Sequence, residues 1–222
     1  MDKGEKMVEK FHDELNGLKG DLLSMGLLAR KMLSDAVKAL KQKDYRLAQT
    51  VTKKKDKLAD MDEQIENNAL RLIALYQPMA KDMRTIACCL KMNTYLARIG
   101  RYGKDIAKVT IDLGDTPYIS KLVNIPHMAE LVDTLIGDAL HAFETEDLSL
   151  INDFKERDDD IDALRYSIFR ECISYMIEDS KTITQCTNYA MVARYLERCG
   201  DHACKMAEKI HYMVTGERIE IR

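Results

Sequence analysis

The pentapeptide Glu197-Arg198-Cys199-Gly200-Asp201 holds the residue types and spacing best suited to chemistry in this chain. Residues four apart on an α-helix project from one face, so Glu197 and Asp201 present two carboxylates side by side. The apolar seam of the same segment runs Cys186, Ala190, Ala193, Glu197, Gly200 and Cys204, which turns Glu197 toward a bundle interior. Extending the preceding seam backwards from Ile168 and Ile161 brings Asp158 to a similar face, with Asp162 one turn further on. Carboxylates crowded together away from water repel, so they take up protons, pair with cations or bind a metal. The oxygen donors of Asp158, Asp162, Glu197 and Asp201 suit hard ions such as magnesium, manganese or iron. A salt-bridge network with Arg165, Arg194 or Arg198 is the competing structural reading.

Other reactive residues add little. His202 follows Asp201 but points about 100° away around the helix, which predicts a solvated surface histidine. His12, His127, His141 and His211 form no recognisable ligand set among themselves, and a ferritin-like diiron core is not expected. Neither a glycine-rich phosphate loop nor a nucleophile elbow occurs, so the usual NTPase and hydrolase routes lack support and no enzyme is expected. The six cysteines include no Cys-x-x-Cys pair: Cys88 and Cys89 are adjacent, and four residues separate Cys199 from Cys204. They read as reduced thiols acting as small buried hydrophobes. The run Lys53-Lys54-Lys55, with Lys57, reads as a solvated helix end.

The elements that must position these groups are helical. Leu15, Leu18, Leu22, Met25, Ala29, Met32, Ala36 and Ala39 alternate steps of three and four, the seam of a bundle helix. The pattern breaks between Lys41 and Asp44, and Asp44 is a candidate N-cap. A second seam runs through Leu58, Met61, Ile65, Leu72 and Leu75 until Gln77-Pro78 interrupts it. A third restarts near Asp82 and carries Ile86, Leu90, Asn93, Ala97 and Gly100. Three such helices with short connections make an antiparallel bundle. Gly114-Asp115-Thr116-Pro117, with Pro126 soon after, then breaks the chain and the pattern begins again. Asp35-Ala36-Val37-Lys38-Ala39-Leu40 and Asp44 recur as Asp138-Ala139-Leu140-His141-Ala142-Phe143 and Asp147, an offset of 138 − 35 = 103. Tyr95-Leu96-x-Arg98-x-Gly100 recurs as Tyr195-Leu196-x-Arg198-x-Gly200, an offset of 195 − 95 = 100. The expected fold is therefore all-α, two tandem three-helix bundles over residues 1–113 and 114–222.

Composition agrees. Three prolines leave long stretches without a helix breaker, and thirteen methionines supply flexible core filling. Hydrophobic residues at 46% with charged residues at 32% are too apolar for disorder. A net charge of −3 offers no basic patch for nucleic acid. No apolar run is long enough to span a membrane, and Met1-Asp2-Lys3-Gly4-Glu5-Lys6 lacks a signal core, so a cytoplasmic location is expected.

Several short motifs then fall in a telling order. They are Met25-Gly26, Ser34-Asp35-Ala36, Gln77-Pro78 with Asp82-Met83-Arg84, Tyr175-Met176-Ile177-Glu178-Asp179-Ser180, Leu196-Glu197-Arg198-Cys199-Gly200-Asp201 and Tyr212-Met213-Val214-x-Gly216. In this order, within a duplicated three-helix unit, the chain resembles the PhoU family, accessory regulators of phosphate ABC transporters. The resemblance implies a negative regulator that restrains the transporter and its signalling when phosphate is plentiful. Implied partners are the transporter's ATPase subunit and a membrane-bound sensor kinase, contacted from the cytoplasm. It also implies self-association as a homodimer, and metal clusters on Glu/Asp-x-x-x-Asp motifs. Here the two halves differ: Ala97 and Arg101 stand where the second half has Glu197 and Asp201, and Lys55 where it has Asp158. Coulomb repulsion then excludes a cation from the first bundle. A metal ion (iron, manganese, magnesium or zinc) is expected in the second bundle only, and the basic groove of the first could receive an anion or an acidic partner. Two alternatives stand beside this reading: a metal-dependent enzyme or metal-handling protein using the second-bundle carboxylates, and a PhoU-like regulator of a sodium–phosphate or potassium transporter.

Overall fold

The structure, a computed structural model, describes residues 3–119 and 124–221. Met1 and Asp2, part of the N-terminal stretch tested above for a signal core, lie outside the described residues, as do Arg222 and residues 120–123. The helices are α1 (Lys3–Gln42), α2 (Tyr45–Tyr76), α3 (Ala80–Leu113), α4 (Asn124–Thr145), α5 (Phe154–Glu178) and α6 (Ile183–Thr215). Single 3-10 turns at Leu148–Ile151 and Ser180–Thr182 precede α5 and α6, and no strand occurs among the described residues. None of these helices is long and apolar enough to cross a membrane.

Local chemistry sets the boundaries. Asp44 caps α2 as its spacing suggested, accepting a hydrogen bond from the Leu47 N–H at 2.9 Å. Its repeat partner Asp147 caps the 3-10 turn before α5 by accepting from Ser149 N–H, also at 2.9 Å. Gly216 closes α6 in the left-handed region, φ 81°, where its N–H reaches the Tyr212 carbonyl. α3 begins at Ala80, two residues before the Asp82 restart read from sequence.

The seams of α1 are buried throughout, from Leu15 to Ala39. The α2 seam departs from the sequence reading: Met61 is half-buried and Leu75 is exposed, while Leu58, Ile65, Ala69 and Leu72 face inward. A helix turns 3.6 residues per revolution, so a seam drawn in strict threes and fours drifts off the buried face. All six cysteines are buried and unpaired.

Burial also displays the duplication residue by residue. Ala48, Val51, Leu58, Ile65 and Ala69 of α2 match Ile151, Phe154, Ile161, Ile168 and Cys172 at an offset of 103, every one buried. Ile86, Met92, Leu96, Ile99 and Ile106 of α3 match Cys186, Val192, Leu196, Cys199 and Met206 of α6 at an offset of 100. The two sets of helices, α1–α3 and α4–α6, lie side by side, with α3 against α6 and α1 against α4. Arg30 on α1 grips Asp133 on α4 through two hydrogen bonds of 2.9 and 2.7 Å. The connection between the sets is stitched down over residues 116–119. Gln185 accepts from the Ile119 N–H at 2.7 Å and donates to the Pro117 carbonyl at 3.0 Å. The Tyr118 hydroxyl donates to the Leu40 carbonyl, and Lys43 Nζ to the Thr116 carbonyl at 2.7 Å.

Candidate functional site: carboxylates along α5 and α6

α5 and α6 run antiparallel across the short turn at 179–182, which lays the first turns of α5 beside the middle of α6. Asp158 lies against Gly200: a Cβ at position 200 would come within 2.9 Å of Asp158 Oδ1, so a side chain there would displace the carboxylate. Asp158, Asp162 and Glu197 all feel the negative charge of Asp201. Burial first, and then Asp201 and Asp162, push the Asp158 carboxyl up to about 6. Glu197 and Asp162 are raised by the same two causes, burial ahead of Asp201.

The four carboxylates thus share one neighbourhood, but they do not meet at a point. Among the described residues no three His, Cys, Asp or Glu side chains gather closely enough to hold a metal ion as they stand. Arg198 is the physical reason. Its Nη1 donates to Asp201 Oδ2 at 2.8 Å while its Nε lies 3.6 Å from Glu197 Oε2, so the cation already present draws on both acids. The donor set nonetheless fits a hard ion in chemistry. Glu197 Oε2 is buried with no hydrogen-bond partner, Asp158 is held half-protonated near pH 6, and Gly200 keeps the space beside it clear. A cation held by these residues would require Arg198 to release Asp201.

His202 contradicts the sequence reading. It is 8% exposed, not solvated, and its ring stacks on Tyr95 at 5.5 Å and on Tyr102 at 6.0 Å. Tyr102 in turn stacks on Tyr195 at 5.4 Å. The 100° turn that removes His202 from the carboxylates aims it at α3, a contact invisible when each bundle is considered alone. Burial, followed by the charge of Arg98, pushes its pKa down to about 4. Folding therefore disfavours protonation: the associated stability is full above the ordinary imidazole value and is lost as pH falls from about 6.5 through 4. The expected result for His202→Phe, which keeps a stacked ring, is that about 2 kcal/mol of the stability lost between pH 7 and pH 4.5 disappears. Urea unfolding at the two pH values measures it, and an unchanged acid limb would place His202 in water.

In the first bundle, Lys55, Ala97 and Arg101 do line one groove, together with Asp56, Leu58, Ala59, Asp62 and Lys104. It is not simply basic, as the sequence suggested. Asp62 lies 3.7 Å from Arg101 and accepts a 2.7 Å hydrogen bond from Asn93, and Lys104 pairs with Asp105 at 2.9 Å. Asp62 was missed because the 103-residue offset that relates α2 to α5 pairs it with Arg165 rather than with a carboxylate. Of the lysine run, Lys53, Lys55 and Lys57 are exposed, whereas Lys54 pairs with Asp35 at 3.0 Å.

Comparison with known proteins gives the arrangement its context. The PhoU domain model matches this chain twice, over residues 22–110 and 125–210. The matches begin 103 residues apart (125 − 22) and end 100 apart (210 − 110), the two offsets found in the buried seams. A Caulobacter vibrioides protein named phosphate-specific transport system accessory protein PhoU homolog is 38% identical over 97% of this chain and 94% of its own length. A Clostridium acetobutylicum protein of the same name is 35% identical over 95% of this chain and 97% of its own. The crystal structure of PhoU from Pseudomonas aeruginosa superposes with a TM-score of 0.89 at 34% identity, covering 93% of this chain and 100% of that one. The phosphate transport system regulatory protein PhoU from Streptococcus pneumoniae superposes with a TM-score of 0.87 at 27% identity, covering 95% and 99%. With one domain match on each bundle and relatives aligned over nearly the whole length, this chain belongs to the PhoU family.

Proposed function

We propose that this chain is a cytoplasmic accessory regulator of phosphate transport that acts by protein–protein contact and catalyses no reaction. The observation that carries the reading is the near full-length likeness to proteins named as phosphate-specific transport accessory proteins. Its partners in this reading are the ATPase subunit of a phosphate ABC transporter and a membrane-bound sensor kinase, restrained when phosphate is abundant. The working units are residues 1–113 and 114–222, and the molecule works as a homodimer. Recovery of the tagged chain from phosphate-replete cells is expected to bring down the ATPase subunit or the kinase. If it brings down neither, the transporter assignment fails.

A divalent metal is the second part of the reading. Asp158, Asp162, Glu197 and Asp201 would hold it, and it would supply fixed positive charge to a cluster that otherwise repels itself. The buried Glu197 Oε2, which accepts no hydrogen bond, and the raised Asp158 favour this over a purely structural network. Carboxylates must be ionised to ligate, so loading is expected to weaken as pH falls below about 6. Titration of the purified chain with Mn²⁺ at pH 7.5 should raise its melting point, by about 2.7 kcal/mol of stability at a hundredfold excess over Kd. Asp201→Ala should abolish that rise while leaving partner recovery in place or lowering it only in part. Loss of both together, with hydrolytic turnover in the wild type, would instead favour a metal-dependent enzyme.

A further inference from the structure

The outer face of α5 carries an apolar stripe that the fold does not need. Tyr166, Phe169, Ile173 and Ile177 follow at steps of three, four and four, hence on one side of the helix. They are 54%, 51%, 40% and 81% exposed. The duplication supplies an internal control. At the 103-residue offset, α2 carries Glu63, Glu66, Leu70 and Ala74 in the same places, all exposed. The inward residues stay apolar and buried in both helices, as in Leu58 with Ile161, Ile65 with Ile168 and Ala69 with Cys172. The same bundle is thus built with two glutamates where α5 has two aromatic rings. Apolar surface retained in water without a packing reason marks a contact site.

The stripe does not end in neutral surface. Steps of four toward the start of α5 lead from Tyr166 to Asp162 and Asp158, with Glu197 and Asp201 alongside on α6. One face is therefore apolar over about three turns and acidic over the turns before them. From residue 158 to residue 177 it spans about 28 Å of helix. A second copy of the chain matches only part of it. Antiparallel pairing of two α5 helices about the centre of the stripe leaves the acidic ends outside the contact, and parallel pairing sets each acidic end against its own copy.

We propose that this face docks an amphipathic helix of a partner protein, apolar along one end and rich in Lys or Arg along the other, about five turns long. The apolar end covers Tyr166, Phe169, Ile173 and Ile177, and in the metal-free chain the basic end meets Asp162 and Asp201, with Asp158 and the more buried Glu197 adding negative charge behind them. Basic side chains there add to the counter-charge that Arg198 and Arg165 already supply. This deepens the adaptor reading by naming the chemistry of what is bound, without depending on which transporter is regulated.

The test uses the full chain and a synthetic fluorescent helix of about twenty residues. Its first three turns carry Leu at i, i+3, i+4 and i+7, and its last two carry Lys; a control peptide has Glu in place of Lys. With chelator present to exclude metal, the Lys peptide is expected to bind about tenfold more tightly than the Glu peptide, with affinity falling as salt rises. Tyr166→Glu with Phe169→Glu installs the residues that α2 already holds, so the double variant is expected to melt with the wild type and to lose binding about tenfold. Ile177→Lys is a second, independent probe of the apolar end. Equal binding of the two peptides, no binding of either, or full binding by both folded variants overturns the proposal. So does a wild-type dimer that the double variant makes monomeric, because the stripe then belongs to a second copy. Peptide binding without transporter recovery from cells strikes the phosphate reading alone, and the reverse strikes this one alone.

Discussion

Gly103→Ala is expected to lower stability by about 2–3 kcal/mol, a fall of about 6 °C in melting point for a chain of this size. A Cβ on residue 103 would lie 2.9 Å from both the Leu33 nitrogen and the Met32 carbonyl carbon, and 3.1 Å from Leu33 Cα. These are backbone atoms of α1, so no side chain can swing aside and the two helices must separate. Separation loosens the packing around Met32, Leu33 and Ile106, all buried. Gly17 and Gly20 on the exposed side of α1 provide the contrast. Nothing lies within 4 Å of a Cβ at either position, and replacing each with Ala is expected to stabilise by about 0.5–1 kcal/mol through helix propensity. Thermal melts of the three variants separate steric from propensity effects. A Gly103→Ala protein that melts with the wild type would mean that α1 and α3 are not in backbone contact.

Asp158→Asn is expected to stabilise the metal-free protein by about 1–2 kcal/mol at pH 8 and to have no effect near pH 4. Folding raises the Asp158 carboxyl to about 6, through burial and then the charges of Asp201 and Asp162. The protonated acid is thus favoured by the fold. Its contribution is fully present below the ordinary aspartate value, near 3.8, and is lost as pH rises through about 6. Above that, the wild type carries an ionised group its surroundings resist, and an amide of the same shape removes the penalty. The magnitude is kept below the full shift because the residue is only half-buried and solvent screens its neighbours. Chemical denaturation of both proteins in chelator, at pH 8 and pH 4, reads the difference. Equal stabilities at pH 8 would show that Arg198 already neutralises the cluster. His202 works in the opposite sense over the same interval, so the wild-type profile between pH 4 and 6 is expected to be flatter than either group alone would make it.

Much of this was legible in the residues. Periodicity and breakers located the limits of α2 and α3 to within a few positions, and two short recurring motifs revealed the duplication, because a buried seam repeats whenever the packing does. The carboxylates were legible for the same reason: Glu197 interrupts an apolar seam, and Asp158 follows from the spacing of Ile161 and Ile168. What escaped were contacts made by the other sides of the helices. His202 looked solvated because nothing local shows that α3 covers it. The pairing of Arg30 with Asp133 and of Gln185 with the 117–119 segment joins residues far apart in sequence. Which of Arg165, Arg194 and Arg198 serves the acids is a matter of side-chain direction, which spacing does not resolve.

The seam between α3 and α6 has a further implication. Tyr95 meets His202 and Tyr195 meets Tyr102, so position 95 of one repeat faces position 102 of the other in both directions. α3 lies on its own counterpart, as α1 does on α4. That reciprocity is the geometry of a two-fold homodimer, in which each residue contact occurs twice. The chain is built as a dimer whose subunits have been fused, with a bimolecular encounter replaced by a tether. Fusion releases a constraint that symmetry imposes on separate copies, since one gene can no longer change both halves at once. The acidic face could then arise on one half while its counterpart acquired Lys55, Ala97 and Arg101. A half expressed alone would have to find a second half before it could bury its tyrosines.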